Sequence, residues 1–171
     1  GEFKRREEAP KGRPIDGVMQ LGDCLEHLKG MPDESVAAVI TDPPYGIHHG
    51  PRGFKQETNF NMGLCSPEGD LGRLADWDKF FDKLQEVGQE IYRVLWAGRY
   101  LVMIMGDRYW QGEYLPLGFM AAQTMRKVGF KLKGIKIWSN RATRRPLKPY
   151  AVKNVFVPNI THQNILILRK E

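Results

Sequence analysis

Cysteine is scarce in this chain of 171 residues, with Cys24 and Cys65 the only two. Two thiols cannot staple a disulfide-dependent scaffold, and each reads as a small apolar side chain. No uninterrupted apolar run approaches the ~18 residues of a membrane-spanning helix, which excludes an integral membrane protein of that kind. A secretory signal pattern is also lacking, so the expected setting is the reducing cytoplasm. No internal repeat is found. What the chain does have is the profile of a folded globule: 42% hydrophobic, 11% aromatic and 27% charged residues. That balance excludes a disordered tail or a collagen-like repeat, and the length fits about one domain. Lys plus Arg number 26 against 20 for Asp plus Glu, a net charge of +6 that suits a polyanionic partner.

Residues 1–17 read as a tail or tag remnant: GEFKRREEAPKGRP has charge, Gly and Pro but no apolar period, and Gly-Glu-Phe looks like a cloning scar. From Val18 short apolar strands alternate with helices. VMQLGD is a strand, and CLEHLKGMP is a short helix closed by Gly30 and Pro32. VAAVIT, β-branched at Val36, Val39, Ile40 and Thr41, predicts a strand buried on both faces, as in a parallel sheet. Residues 47–75 form a loop long enough to be functional. From Asp76 an amphipathic helix is marked by Phe80, Phe81, Leu84, Val87, Ile91 and Leu95 and is expected to close at Gly98. RYLVMIM is the next strand, GDRYWQGEYLP a loop, and LGFMAAQTMRKVGF a second amphipathic helix ended by Gly129. KLKGIKIW and NILILRK are strands separated by the basic, Pro-containing connection 139–160. The order predicts an open α/β sheet with helices on both faces and an antiparallel last strand. In such a sheet the working site lies beyond the carboxyl ends of the strands, where Asp23, Asp42 and Asp107 fall.

Asp42-Pro43-Pro44-Tyr45, directly after a buried strand, is the most informative tetrapeptide. Its two prolines fix two φ angles and remove two N–H donors. What remains is a stiff cradle of acceptors, the Asp42 carboxylate and the Pro43 carbonyl. Such a cradle suits a group that donates two hydrogens, namely a primary amino group on an aromatic ring. Accepting both hydrogens draws the nitrogen toward tetrahedral geometry and frees its lone pair. Tyr45 offers a flat face on which the ring can stack. The plainer alternative is a Pro-rich turn that merely ends a strand.

The tetrapeptide resembles motif IV of the exocyclic-amino methyltransferases, which act on adenine N6 or cytosine N4 in DNA. LGDCLEHLKGMPDESVAAVITDPPYG resembles the start of the permuted members, in which this motif lies near the N-terminus. MGDRYWQGEYLPLGF, KLKGIKIWSN and THQNILILRK resemble later strands of the same catalytic domain, so the resemblance covers roughly residues 18–170. It implies that residues 18–171 are a methyltransferase catalytic domain with a Rossmann-like sheet, and that S-adenosylmethionine binds across its carboxyl edge. By this resemblance Asp42, Pro43, Pro44 and Tyr45 are catalytic, and Asp23 and Asp42 contact the cofactor. The bland reading of Asp23 is an N-cap for CLEHL. Asp107 has a similar position and a weaker case. The substrate would be duplex DNA with its target base flipped out. The amino nitrogen would attack the sulfonium methyl in line, with no covalent enzyme intermediate. Asp rather than Ser at the head of the tetrapeptide favours adenine N6 over cytosine N4.

Family members carry a Phe-x-Gly-x-Gly loop that grips the methionine end of the cofactor, yet no Gly-x-Gly occurs in this chain. The expected sheet is therefore incomplete, without its cofactor-loop strands. Three readings compete: a fragment of a longer enzyme, a half whose sheet is completed by a second chain or a missing C-terminal segment, or a degenerate protein that binds cofactor poorly. The engineered look of the N-terminus favours the fragment. Other activities also stay open, namely RNA guanine N2 methylation, or a non-catalytic nucleic-acid-binding remnant of the same fold.

Arg52 and Lys55 in loop 47–75, and Arg141, Arg144, Arg145 and Lys148 in connection 139–160, are the candidate nucleic-acid contacts. Lys153 extends the second group, and Tyr150 and Phe156 interleave with it. A solvated basic loop is the alternative. His48 and His49 lack Cys or carboxylate partners at ligand spacing, and no metal is expected. Trp77, Trp96, Trp110 and Trp138 are expected to be packing residues, and His162 a structural one.

Overall fold

The computed structural model describes residues 22–44, 76–110, 112–139 and 160–171. Asp23 starts α1 (Cys24–Lys29), its Oδ1 accepting from the Leu25 and Glu26 N–H groups at 2.7 and 3.4 Å. Asp76 caps α2 (Trp77–Val94) in the same way, accepting from Asp78 and Lys79. Both carboxylates satisfy helix N–H groups that would otherwise lack partners. The third helix, α3 (Leu117–Val128), begins at Pro116, which offers no side-chain cap, and ends at Gly129 with φ 123°. Six strands complete the described residues: β1 (Val36–Thr41), β2 (Leu95–Met105), β3 (Arg108–Trp110), β4 (Glu113–Leu115), β5 (Lys131–Ser139) and β6 (His162–Arg169).

The main sheet has the order β1-β2-β6-β5, and β3 and β4 form a separate two-stranded ribbon. β1 and β2 are parallel, whereas β6 runs antiparallel to both β2 and β5. The carboxyl ends of β1, β2 and β5 and the start of β6 therefore share one edge. The final strand is antiparallel as expected.

The core lies between one sheet face and the helices. Leu101, Met103 and Met105 of β2 and Leu166 and Leu168 of β6 pack there against Phe80, Leu84 and Ile91 of α2 and Leu117, Ala121, Ala122 and Met125 of α3. Each such large side chain contributes roughly 1.5–3 kcal/mol by leaving water. Gly88 permits the close approach of α2 to α3, since a β-carbon there would lie 2.7 Å from the Met125 methyl. Leu28 of α1 packs against the same cluster.

Several expectations are corrected. The described helices gather on one face rather than on both, leaving Val102, Ile104, Ile165 and Ile167 only half-buried on the other. VAAVIT is not buried on both faces: Ile40 is 75% exposed, because among the described residues β1 has one strand neighbour and no covering layer on that side. Trp138, expected to pack, is 53% exposed; it lies on edge strand β5 opposite Gln163, on the face away from the helices. Gly98 does not close α2, which ends at Val94. It sits inside β2 at φ 76°, where the register jumps from Val36↔Leu95 to Ala38↔Tyr100. The extra β2 residues form a bulge, and the Gly98 N–H donates to the Lys170 carbonyl at 2.9 Å. GDRYWQGEYLP is not simply a loop, since it holds the β3–β4 hairpin.

Candidate active site

Asp42, Pro43 and Pro44 follow β1 directly, at the carboxyl edge of the sheet. Thr41 is in register with Met103 of β2, so the motif leaves the sheet alongside the last residues of that buried strand. Pro43 is buried, whereas Asp42 and Pro44 are exposed. Partial burial holds the Asp42 carboxyl above its ordinary pKa, by disfavouring its charged form. The backbone here is short of donors and the side chain is an acceptor, so the segment can receive hydrogens but offers none of its own from either proline.

Asp23 lies just before α1. It is half-buried and acts as the helix cap, using Oδ1 alone for both bonds. Tyr45, Arg52, Lys55, Arg141, Arg144, Arg145 and Lys148 lie outside the described residues, as do Lys153, Tyr150, Phe156, His48 and His49. Among the described residues no group of three His, Cys, Asp or Glu side chains could hold a metal ion, and no helix is long and apolar enough to cross a membrane.

Asp107 is more deeply built in than its sequence context indicated. Its side chain is 2% exposed. The carboxylate accepts from the Tyr114 hydroxyl at 2.7 Å, from the Gly118 N–H at 3.1 Å, and from Asn164 Nδ2 at 3.1 and 3.2 Å. His162 Nε2 stands 3.5 Å away. The bond to Gly118 explains how α3 starts without a capping residue of its own: Asp107 reaches the second helical N–H from the end of β2. A buried carboxylate is tolerable only when hydrogen bonds replace its water, and this one is surrounded by donors. Partial burial and the bond to Asp107 together push the Tyr114 hydroxyl pKa up to about 12.

Asn164 and Tyr114 were missed in the sequence. A signal for Asn164 existed, because it occupies the same alternating face of β6 as Leu166 and Leu168, and a polar residue there must find a buried partner. Nothing local marked Tyr114. A shallow cleft of about 560 Å³ lined by Arg126, Phe130 and Lys131 lies at the end of α3 and the start of β5, on the opposite edge of the sheet from Asp42.

Comparison with known proteins places this geometry. The type II methyltransferase M.SfiI of Streptomyces fimbriatus is 28% identical over 140 residues, covering 72% of this chain and 30% of the relative. M.MwoI of Methanothermobacter wolfeii is 25% identical over 160 residues, covering 91% of this chain and 21% of the relative. TTHA0409 of Thermus thermophilus, assigned as a DNA modification methylase and solved with S-adenosyl-L-methionine, superimposes with a TM-score of 0.60 at 28% identity. That match covers 88% of this chain and 54% of the other. The cytosine-N4-specific PvuII DNA methyltransferase shares the fold, with a TM-score of 0.62 at 20% identity over 90% of this chain and 51% of its own. The chain thus spans about half of these solved structures and under a third of the two curated relatives. Its sheet is the Rossmann-like sheet of S-adenosylmethionine-dependent methyltransferases, present in part. Because the family's characteristic pattern matches residues 36–171, from the first residue of β1 through β6, the chain belongs to the N6/N4 DNA methylase family.

Proposed function

We propose that this chain carries the amino-group-binding half of an S-adenosylmethionine-dependent DNA methyltransferase acting on an exocyclic amino group, with adenine N6 favoured. The observation that carries the reading is the position of Asp42-Pro43-Pro44 at the carboxyl end of β1, beside parallel β2. There the Asp42 carboxylate and the Pro43 carbonyl accept the two amino hydrogens, and the fixed proline backbone holds both acceptors before the substrate arrives. Tyr45 follows as the stacking face. Arg52 and Lys55 in loop 47–75, and Arg141, Arg144, Arg145 and Lys148 in the basic connection 139–160, supply phosphate contacts.

S-adenosylmethionine, when bound, supplies the methyl group. Asp23 fits a cofactor contact as a hydrogen-bond acceptor, because its capping bonds use Oδ1 and leave Oδ2 out of the cap. Nothing in the sequence provides a Gly-x-Gly turn for the cofactor's methionine end. That part of the site, and the strand that pairs along the outer edge of β1, belong in this proposal to a second chain or to a further segment of polypeptide.

The deciding test is methyl transfer to duplex DNA, with the products resolved by mass spectrometry into N6-methyladenine and N4-methylcytosine. N6-methyladenine is expected, and Asp42→Ala should lower the rate by about 10²–10³-fold, the usual effect of deleting one preorganised catalytic partner. Activity unchanged in Asp42→Ala would remove the motif from the mechanism. One observation favours a second reading, a nucleic-acid-binding protein without catalysis: β1 lacks an outer neighbour among the described residues. It predicts salt-sensitive DNA binding, indifferent to Asp42→Ala, with no methyl transfer at any protein concentration.

A further inference from the structure

The β3–β4 hairpin rises from the carboxyl end of β2, on the edge that carries Asp42, and its aromatic residues have no part in the chemistry above. Tyr114 is 40% exposed, yet its hydroxyl is tied at 2.7 Å to the buried Asp107 carboxylate. Tyr109, its register partner across the hairpin, packs edge-on against it with centroids 5.4 Å apart. Trp110 in turn meets Trp77 at the start of α2, 6.0 Å away. The two strands have three residues each, too short to hold a side chain in place by themselves. The order of the hairpin comes instead from the Asp107 tie and from the aromatic contacts at its base.

We infer that Tyr114 is a stacking contact for an unstacked base of the nucleic-acid substrate, with Asp107 as its positioning residue. This rests on the proposed DNA-methylating function and deepens it. Asp107 is anchored independently by the Gly118 N–H and by Asn164, so the hydroxyl end of Tyr114 is held by a group that cannot itself move. Tyr109 supports the ring from across the hairpin, and 40% of the residue stays exposed. A ring fixed in this manner loses little conformational freedom when a base stacks on it, which is the condition for a strong contact. The hydroxyl stays protonated to about pH 12, so the tie persists throughout any working range. Stacking is tolerant of sequence because every base has a π-face, and a flipped target leaves its neighbours short of a stacking partner.

The test uses the 171-residue chain and two fluorescent probes. One is a fully paired duplex. The other carries 2-aminopurine opposite an abasic position, where the base leaves the stack readily. Tyr114→Ala should bind the second probe roughly tenfold more weakly, or worse, and abolish the quenching that ring stacking imposes on 2-aminopurine. Tyr114→Phe, which keeps the ring and loses the tie, should fall between wild type and Tyr114→Ala. Both variants should bind the paired duplex as wild type does and show its circular dichroism spectrum. If Tyr114→Ala binds and quenches the 2-aminopurine duplex like wild type, the inference is overturned while the DNA-binding reading survives. Equal losses on both probes would also overturn it, since they report damage to the fold rather than a lost stack. Absence of binding to either probe by the wild-type chain would instead sink the DNA-binding reading, and this inference with it.

Discussion

Gly118 has no room for a β-carbon: one built there would stand 2.5 Å from Asn164 Nδ2 and 2.8 Å from the Asn164 Cβ and Cγ. Asn164 is 2% exposed and bonded to Asp107, so it cannot swing aside without breaking the cluster. Gly118→Ala should therefore destabilise the chain by about 1–3 kcal/mol despite the better helix propensity of alanine, as measured by urea unfolding. At Asp42 the direction reverses. Burial raises its folded-state pKa, so the folded protein holds this proton more tightly than the unfolded chain does. Stability from this group is thus gained as pH falls through the window between the ordinary and the raised value, and lost as pH rises back through it. Asp42→Asn should melt at or above the wild-type temperature at neutral pH, with the gap closing as the pH drops through the carboxylate range. Methyl transfer should be lost in the same variant, the pattern of a residue kept for function at the expense of stability. The segment at 42–45 stood out in the sequence because its carboxylate, prolines and tyrosine are consecutive. The cluster at Asp107 was not, because its members are separated by up to 57 positions and meet only across the sheet.

Among the elements, the helices were the easiest to foresee. The three-to-four spacing of Phe80, Leu84 and Ile91 became the buried face of α2, and Asp76 its cap. Asp76→Ala should cost about 1 kcal/mol by thermal or urea unfolding, the usual penalty for losing a carboxylate cap. The end of α2 was misread, because a glycine four residues past the last helical turn looks like a stop signal while Leu95 continues the apolar period. Packing decided otherwise. Leu95 is fully buried and begins β2, and Gly98 serves a bulge that meets the end of β6. Long-range polar bonds fasten this corner. The Arg93 guanidinium donates to the Leu28 and Met31 carbonyls at the end of α1, and the buried Lys170 ammonium donates to the Leu95 carbonyl at 2.7 Å. The hairpin was missed for a related reason: strands of three residues carry too little alternation to be recognised, and their order comes from Asp107 and from ring contacts that sequence spacing does not reveal.

At the scale of the whole molecule, the two edges of the sheet differ in chemistry. β5 carries Lys131, Lys133 and Lys136, charges that discourage a further strand from pairing there. β1, at the other edge, is VAAVIT, with neither charge nor proline to guard it. A strand of that composition suits the interior of a sheet, and here its Ile40 lies open on the face that also shows Tyr100 and Trp138. The isolated chain should therefore self-associate as its concentration rises, and Ile40→Lys should reduce that association in sedimentation velocity while leaving the melting temperature nearly unchanged. Equal association in both forms would show that β1 and its open face are not the cause.

The three helices, the four strands of the main sheet and the amphipathic faces of α2 and α3 were determined by sequence alone. Each is a local matter, set by spacing, propensity and turn chemistry over a few residues. The side of the sheet on which the helices gathered, the exposure of β1 and Trp138, the bulge at Gly98, and the meeting of Asp107, Tyr114, Gly118, Asn164 and His162 were decided only in three dimensions. These depend on which distant segments pair across the sheet, and no local period encodes that choice.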